Sequence, residues 1–378
     1  MQKRGRGKQQ AETNQEDAIL QCVETEPMLV KRIFDQRGEV CKNFVSLFLE
    51  KDIRKVYFSG QASGIFVAKM LQPFMEKLLK VEVSVTNPAY FNQYETFNIN
   101  QIYKPEQMVM LCPAHSGTTT GPIQMAKKCR ELGISVVCST YDTTSTLANL
   151  SDVVIYKFSG PEASYVETKS HMASLAIFFL CIIETAKAMN NITKEEYIYY
   201  CNYFETLPKH MEMIIQDTKQ WYETHKNLFT VDKARYVGFG PYYAMALEGS
   251  LKIAEATNIS SLVYDMEEFM HTSTTQIEAD SLIYVIAPNC EELERMNDLL
   301  SWCRDHSDKV VLLANNNHPM KDHNALTSAF LDDPYLSVME YLIPFQLLAH
   351  YIAKDRKLSV IHARNDGASK RLKTHVEE

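Results

Sequence analysis

A run of hydroxyls around a glycine, Ser116-Gly-Thr-Thr-Thr, stands between an apolar segment ending at Pro113 and a helical pattern that reaches Leu132. A strand-to-helix junction gathers unpaired backbone N–H groups and the positive end of the helix dipole at one spot, which suits an anion. Gly117 lets the backbone close on a ligand, and Ser116, Thr118 and Thr119 add neutral donors, with His115 beside them. An earlier turn, Ser59-Gly60-Gln61-Ala62-Ser63-Gly64, follows the preceding strand pattern. Both loops are therefore expected to converge on one phosphate group at the carboxyl ends of their strands. A lone serine–glycine–threonine run is more often a helix cap; the pair of loops favours a site. Neither is a GxGxxG or Walker sequence, so neither nicotinamide nor ATP binding is indicated.

A second group lies in Glu248-Gly-Ser-Leu-Lys252-Ile-Ala-Glu255. The spacing i, i+4, i+7 puts two carboxylates and an ammonium on one helical face. On an isolated helix that would be a solvated ion-pair stripe. Sixteen residues after Glu255 comes His271, closing Glu267-Glu-Phe-Met-His. Carboxylate and imidazole form the pair needed to move a proton between adjacent carbons of an opened sugar, because each can be tuned near neutral pH.

These groups need a scaffold, and 378 residues imply two domains. An apolar fraction of 46% and a charged fraction of 23% are ordinary for a globular protein. The net charge of −8 argues against nucleic acid or an anionic membrane as partner. An anionic metabolite must then be held by a local device. The nine cysteines show no CxxC or zinc spacing and fit reduced, mostly buried thiols in a cytosolic protein. Residues 1–16 read as a disordered basic and polar tail without a signal sequence. The longest apolar run, Met172–Ile183, is too short to span a bilayer and reads as a buried helix.

Strand patterns at 55–58, 81–86, 108–112, 134–138 and 153–156 alternate with helical ones, which predicts a parallel sheet covered on both faces. The stretch from Asn87 to Asn92 reads as irregular. The rhythm returns in strands at 234–240, 281–288 and 309–315 and helices at 241–256 and 291–306, so an α/β unit is duplicated. The expected domains are 17–192, a linker helix at 193–225, 226–353, and a C-terminal tail 354–378 in which 358–361 could form a strand. At the place of the hydroxyl loop the second half carries Ala287-Pro-Asn-Cys-Glu-Glu, whose carboxylates would repel a phosphate. One copy binds, and the other is free for a different task.

At this point the residues resemble a known family, the double-SIS (sugar isomerase) proteins. That group contains the isomerase half of glucosamine-6-phosphate synthase and the fructosamine-6-phosphate deglycases. Ala114-His-Ser-Gly-Thr-Thr is similar to its phosphate loop S-Q/R-S-G-x-T, with alanine at the first position. Ser164-Tyr-Val-Glu-Thr-Lys-Ser resembles its S-x-A-x-T-K-[AS] segment, and Glu248–Glu255 with Glu267–His271 resembles its E-G-A-L-K-L-K-E…E-F-x-H-G-P pair. The similarity covers roughly residues 20–378.

The resemblance implies two SIS domains, each a parallel sheet flanked by helices in three αβα layers. It implies Glu255 as the base acting between C1 and C2, and His271 assisting ring opening or protonating the leaving group, reaching into the neighbouring subunit's site. Lys373 would act at the sugar carbonyl, and Ser63, Ser116, Thr118 and Thr119 would carry the phosphate. Gly60, Gln61, His115, Gly117 and Glu167 complete the expected substrate contacts. Three departures fall where the substrate's substituent is read: Thr-Ser after His271, a carboxylate at Glu167, and Asp366-Gly-Ala-Ser-Lys-Arg in place of D-x-P-R-N-L. The expectation is a cytoplasmic homodimer or dimer of dimers with shared sites, and no metal or organic cofactor. A fructosamine-6-phosphate deglycase leads, because no glutaminase segment precedes the first unit. The alternatives are an aldose–ketose isomerase or amino-sugar-phosphate deaminase, and a non-catalytic phosphosugar sensor.

Overall fold

The computed structural model describes residues 16–320, 322–365 and 367–376. Apart from Glu16 the expected disordered tail lies outside them, as does Asp366. After helix α1 (Ala18–Asp35) and helix α2 (Lys42–Glu50), the chain enters β1 (Lys55–Ser59), α3 (Ser63–Leu79) and β2 (Glu82–Thr86). Then follow β3 (Met108–Pro113), α4 (Thr120–Leu132), β4 (Ser135–Thr140), β5 (Val153–Tyr156) and the helices α5 (Lys169–Ala188) and α6 (Lys194–His225). The second half runs β6 (Lys233–Gly238), α7 (Pro241–Thr257), β7 (Ser260–Asp265), β8 (Leu282–Ala287) and α8 (Leu293–His306). It ends with β9 (Val310–Asn315), β10 (Leu326–Ser328), α9 (Val338–Asp355) and α10 (Ala368–Leu372).

Two five-stranded sheets result, in the orders β2-β1-β3-β4-β5 and β10-β9-β8-β6-β7. Every pairing is parallel. The orders are the same topology read from opposite edges, so the duplication expected from the sequence is present. β3, β4 and β8 are buried along their whole length, which is why β3 and β8 are nearly continuous apolar runs; β4 buries the hydroxyl residues Ser135, Ser139 and Thr140 as well. α5 is apolar on all sides. It is the one helix among the described residues long and apolar enough to cross a membrane, yet 83% of its apolar window is buried within the protein. The cysteines are all free, and all but Cys201 and Cys290 are buried.

Two compact units emerge, and neither is a contiguous stretch. One holds the first sheet and comprises residues 28–161, 169–206 and 364–378. The other holds the second sheet and, of the described residues, comprises 16–27, 162–168 and 207–363. The short segment 162–168 thus belongs with the second sheet, and the last residues belong with the first.

Two local expectations are corrected. Pro88–Tyr94 is a helix, because Asn87 Oδ1 accepts from the Ala89 N–H at 3.2 Å and Pro88 opens the first turn. Residues 358–361 form no strand. Their backbone is held by side-chain and loop bonds, Ser164 Oγ to the Val360 carbonyl at 2.8 Å and the Tyr165 N–H to the same oxygen at 3.2 Å.

In the second unit α7 packs against α9 through Gly249, where a Cβ would sit 2.6 Å from the Phe345 ring. That ring lies edge-on to the stacked pair Tyr236 and Tyr284. Gly249→Ala is expected to cost about 1–3 kcal/mol by overpacking. Urea denaturation at unchanged m-value measures it, and a midpoint equal to wild type would show that the two helices separate freely.

Candidate active site

In the first unit the chain order crosses β1 to reach β3, so β1 and β3 flank the topological switch point of the sheet. Ligands of open α/β sheets bind at that crevice. The β1 loop, Gly60 to Ser63, and the β3 loop, Ala114 to Thr119, leave those two strands side by side. A Cβ on Gly64 would lie 2.9 Å from the Pro113 carbonyl, and one on Gly121 would lie 3.1 Å from Gln61 Cδ. The structure therefore brings the two loops together. Gly60 is required at its place, because a Cβ there would meet the Gly64 carbonyl carbon at 2.7 Å. Gly238 repeats that geometry in the second half, 2.6 Å from the Tyr242 oxygen.

The next-but-one residue differs between the halves. Ala62 has φ 46° and ψ −119°, and its counterpart Gly240 has φ 55° and ψ −129°. That backbone region is essentially confined to glycine, and a non-glycine residue there stores about 1–3 kcal/mol. The strain sits in the hydroxyl-bearing half. Ala62→Gly is expected to raise stability by about 1 kcal/mol once the entropy gained by the unfolded chain is subtracted. A lowered melting temperature would show that the alanine is not strained.

Within the β3 loop, Ser116 Oγ and Thr118 Oγ1 lie 2.8 Å apart, and the Thr118 N–H donates to Ser116 Oγ at 3.3 Å. Gly117 is in the left-handed region at φ 77°, and a Cβ would strike Ser145 Oγ. The chain's last segment closes over this loop. The Thr120 N–H donates to the Thr374 carbonyl at 3.0 Å, Thr120 Oγ1 to the Lys373 carbonyl at 2.8 Å, and the Val376 N–H to the Thr118 carbonyl at 2.9 Å. One first-turn amide of α4 is thereby used, and Pro122 has none to offer. Beside the helix dipole, which sequence reasoning placed first, the loop thus carries the hydroxyls of Ser116 and Thr118 and the imidazole of His115. Lys373 lies at the end of α10 with its side chain exposed.

Behind the loop His115 Nδ1 is 2.5 Å from Ser170 Oγ. The buried Lys157 ammonium donates to Ser170 Oγ at 2.6 Å and to the Ala114 carbonyl at 2.9 Å. The sequence reading missed Lys157. The available signal was its position, a lysine directly after β5 at the carboxyl edge of the sheet.

In the second unit α7 presents the other group. Lys252 Nζ lies 3.3 Å from Glu248 Oε1 and 3.1 Å from Glu255 Oε2. Lys252 and Glu248 side chains are only 2% and 1% exposed, whereas Glu255 keeps 33%. The face of carboxylates and ammonium is thus not a solvated stripe. Segment 162–168 is strapped to it, since Tyr165 Oη donates to the Glu255 carbonyl at 2.9 Å; the segment is itself closed by the Thr168 bonds to Glu162. This places Glu167 in the field of both Lys252 and Glu255. Burial, aided by Glu248 and Glu167, raises the Glu255 carboxyl above the usual carboxylate range against the pull of Lys252. Burial disfavours the Lys252 cation, but Glu248, Glu255 and Glu167 outweigh it and hold the ammonium firmly protonated.

His271 occupies a π-helical turn, Phe269–Ser273, and its side chain is 79% exposed. Its ion pair is with Glu267 at 3.7 Å, not with Glu255, and Arg295 also binds Glu267. No cluster of three or more metal-ligating side chains occurs among the described residues.

Comparison with known proteins matches this architecture. Residues 227–330 match the family model described as the SIS domain. The match falls in the second half of the chain, and the whole has two parallel sheets flanked by helices, the α/β fold of the solved phosphosugar isomerase structures. Over 319 residues the chain is 23% identical to the glutamine–fructose-6-phosphate aminotransferase (isomerizing) of Caldanaerobacter subterraneus subsp. tengcongensis, covering 84% of this chain and 51% of that protein. The chain spans about half the length of the curated relatives it matches. It superposes on the C-terminal domain of glucosamine-fructose-6-phosphate aminotransferase from Francisella tularensis with a TM-score of 0.80 at 17% identity, covering 91% of this chain and 97% of that one. Glucosamine-6-phosphate deaminase from Thermotoga maritima gives a TM-score of 0.69 at 18% identity, with 92% and 98% covered.

Removing the buried cation alone should be severe. Lys252→Met strands Glu248 and is expected to cost about 3–5 kcal/mol, while Glu248→Gln combined with Lys252→Met should recover most of that loss. Chemical denaturation of wild type, both single variants and the double variant reads the coupling, and strictly additive effects would mean that the pair is not an electrostatic unit.

Proposed function

We propose that this protein is a phosphosugar-processing enzyme, a deglycase acting on a 6-phosphorylated fructosamine. The observation that supports it best is the buried charge group on α7. Its least buried member, Glu255, is a carboxylate whose proton affinity is raised toward neutrality, as a general base requires. In this reading the hydroxyls of Ser116, Thr118 and Thr119 and the Ser63 turn hold the phosphate. Glu255 takes the proton from C1 beside the C2 carbonyl, giving an enaminol. Return of a proton at C2 leaves a C1=N imine; water adds to C1, and the amine departs as the aldose 6-phosphate forms. Glu167, a carboxylate beside the same cation, suits a substrate that carries an amino group. His271, Lys373 and a second subunit are assigned to ring opening and carbonyl binding by family resemblance.

A deaminase acting on an amino-sugar phosphate is the second reading, favoured by the likeness in fold to the Thermotoga maritima deaminase. Both use the same base. Purified protein is to be assayed against glycated amino acid 6-phosphates, glucosamine 6-phosphate and fructose 6-phosphate. Turnover of the first class is expected. Thermal stabilisation by phosphosugars without turnover of any would make the protein a sensor instead.

Glu255→Gln should lower kcat by about 10²–10⁴-fold, the usual worth of a general base, with phosphosugar binding kept; normal turnover in this variant would eliminate Glu255 as the base. Because the base must be ionised, activity should fall as pH drops through the raised Glu255 value. The acid limb of kcat/KM should therefore lie above the ordinary carboxylate value of about 4.3. The same shift has a stability consequence. A carboxyl whose folded pKa exceeds its unfolded one favours the fold below the unfolded value and loses that contribution as pH rises through the folded one. Above that window Glu255→Gln is expected to be at least as stable as wild type, and a clear loss of stability there would contradict the raised value.

A further inference from the structure

The hydroxyl loop is backed by a chain of three side chains in the same unit. Lys157 extends from the end of β5, Ser170 sits in the first turn of α5, and His115 belongs to the β3 loop itself. The Lys157 side chain is buried, and its ammonium touches Ser170 Oγ at 2.6 Å and the Ala114 carbonyl at 2.9 Å. Ser170 Oγ touches His115 Nδ1 at 2.5 Å. The backbone of His115 is fixed as well, since its carbonyl accepts from Thr140 Oγ1 at 2.7 Å and from the Tyr141 N–H at 3.2 Å. The ring is flanked by Tyr141, with centroids 4.7 Å apart. The imidazole is held from behind and at its backbone, one residue before the hydroxyls of the loop.

The chemistry of the three groups sets a direction. An ammonium can only donate, so Ser170 Oγ accepts from Lys157. A hydroxyl that accepts from a cation becomes a stronger donor of its own proton. We propose that Lys157, acting through Ser170, is a positioning residue that fixes His115 as the Nε2–H tautomer, with Nδ1 accepting from Ser170. His115 then presents an N–H donor to the phosphate. This deepens the phosphate reading of the loop and rests on it for the identity of the ligand. It also supplies the local device that a chain of net charge −8 needs for an anion: a buried positive charge expressed at the surface as an oriented donor. The ammonium needs no contact with the ligand to act this way.

The test uses full-length protein labelled with ¹⁵N-histidine, with the His115 signals assigned by comparison with His115→Gln. At a pH where the ring is neutral, the long-range ¹H–¹⁵N spectrum of the free protein should show the Nε2–H tautomer for His115. In Ser170→Ala that pattern should shift toward the mixture of an unconstrained imidazole, while Ser170→Thr should restore it. Titration with inorganic phosphate and with fructose 6-phosphate should show affinity about tenfold weaker or worse in Ser170→Ala, the loss of one charge-assisted donor, and near wild type in Ser170→Thr. Lys157→Gln should move the same His115 signals in the same direction; because this variant may not fold, the serine pair carries the decision. An Nδ1–H tautomer in wild type, or an unchanged tautomer in Ser170→Ala, overturns the proposal. Wild-type protein with the Nε2–H tautomer that binds neither phosphate probe leaves the positioning chain standing and removes the phosphate reading of the loop.

Discussion

Taking an ammonium out of water costs several kcal/mol, and only carboxylates in good geometry repay it. Lys252 meets that condition with Glu248 beneath it on α7 and Glu255 one turn on. The remaining features of the second unit's charge group depend on this pairing. Glu255 can be a carboxylate of raised proton affinity without becoming permanently protonated, because one cation draws its value down while burial and two neighbouring carboxylates push it up. Segment 162–168 has to be strapped beside α7 to bring Glu167 into that balance.

The duplication sets two different groups of side chains on one backbone plan. Both halves use the same strand order, the same forced glycine after the first strand, and the same unusual backbone at the helix entrance. They diverge in side chains at the second loop, hydroxyls in one half and Glu291-Glu292 in the other. The half with the hydroxyls also carries the strained residue, Ala62. Strain held in place by surrounding structure is typical of binding loops, and the relaxed glycine in the other half marks the difference.

Most of the fold could be read from the chain because parallel strands buried on both faces are written as unbroken apolar runs. β7 escaped notice since its residues are only partly buried and two serines begin it. The helix at Pro88–Tyr94 carried a cap and a first-turn proline that were legible but were read as a break. For the charge group, the spacing of Glu248, Lys252 and Glu255 gave a shared face; whether that face was wet or buried depends on α9 and on segment 162–168, which no local pattern reports. Lys157 was invisible for a similar reason. Its role comes from contacts with Ala114 and Ser170, 43 and 13 residues away.

The pairing of residues 373–376 with Thr118–Thr120 joins groups 253 residues apart in one of its bonds. During synthesis the hydroxyl loop emerges long before the segment that finishes it, and the whole second sheet is made in the interval. Contacts of such sequence separation form late because loop closure must be paid first. This loop thus completes its hydrogen bonds only with a segment 253 residues further along the chain.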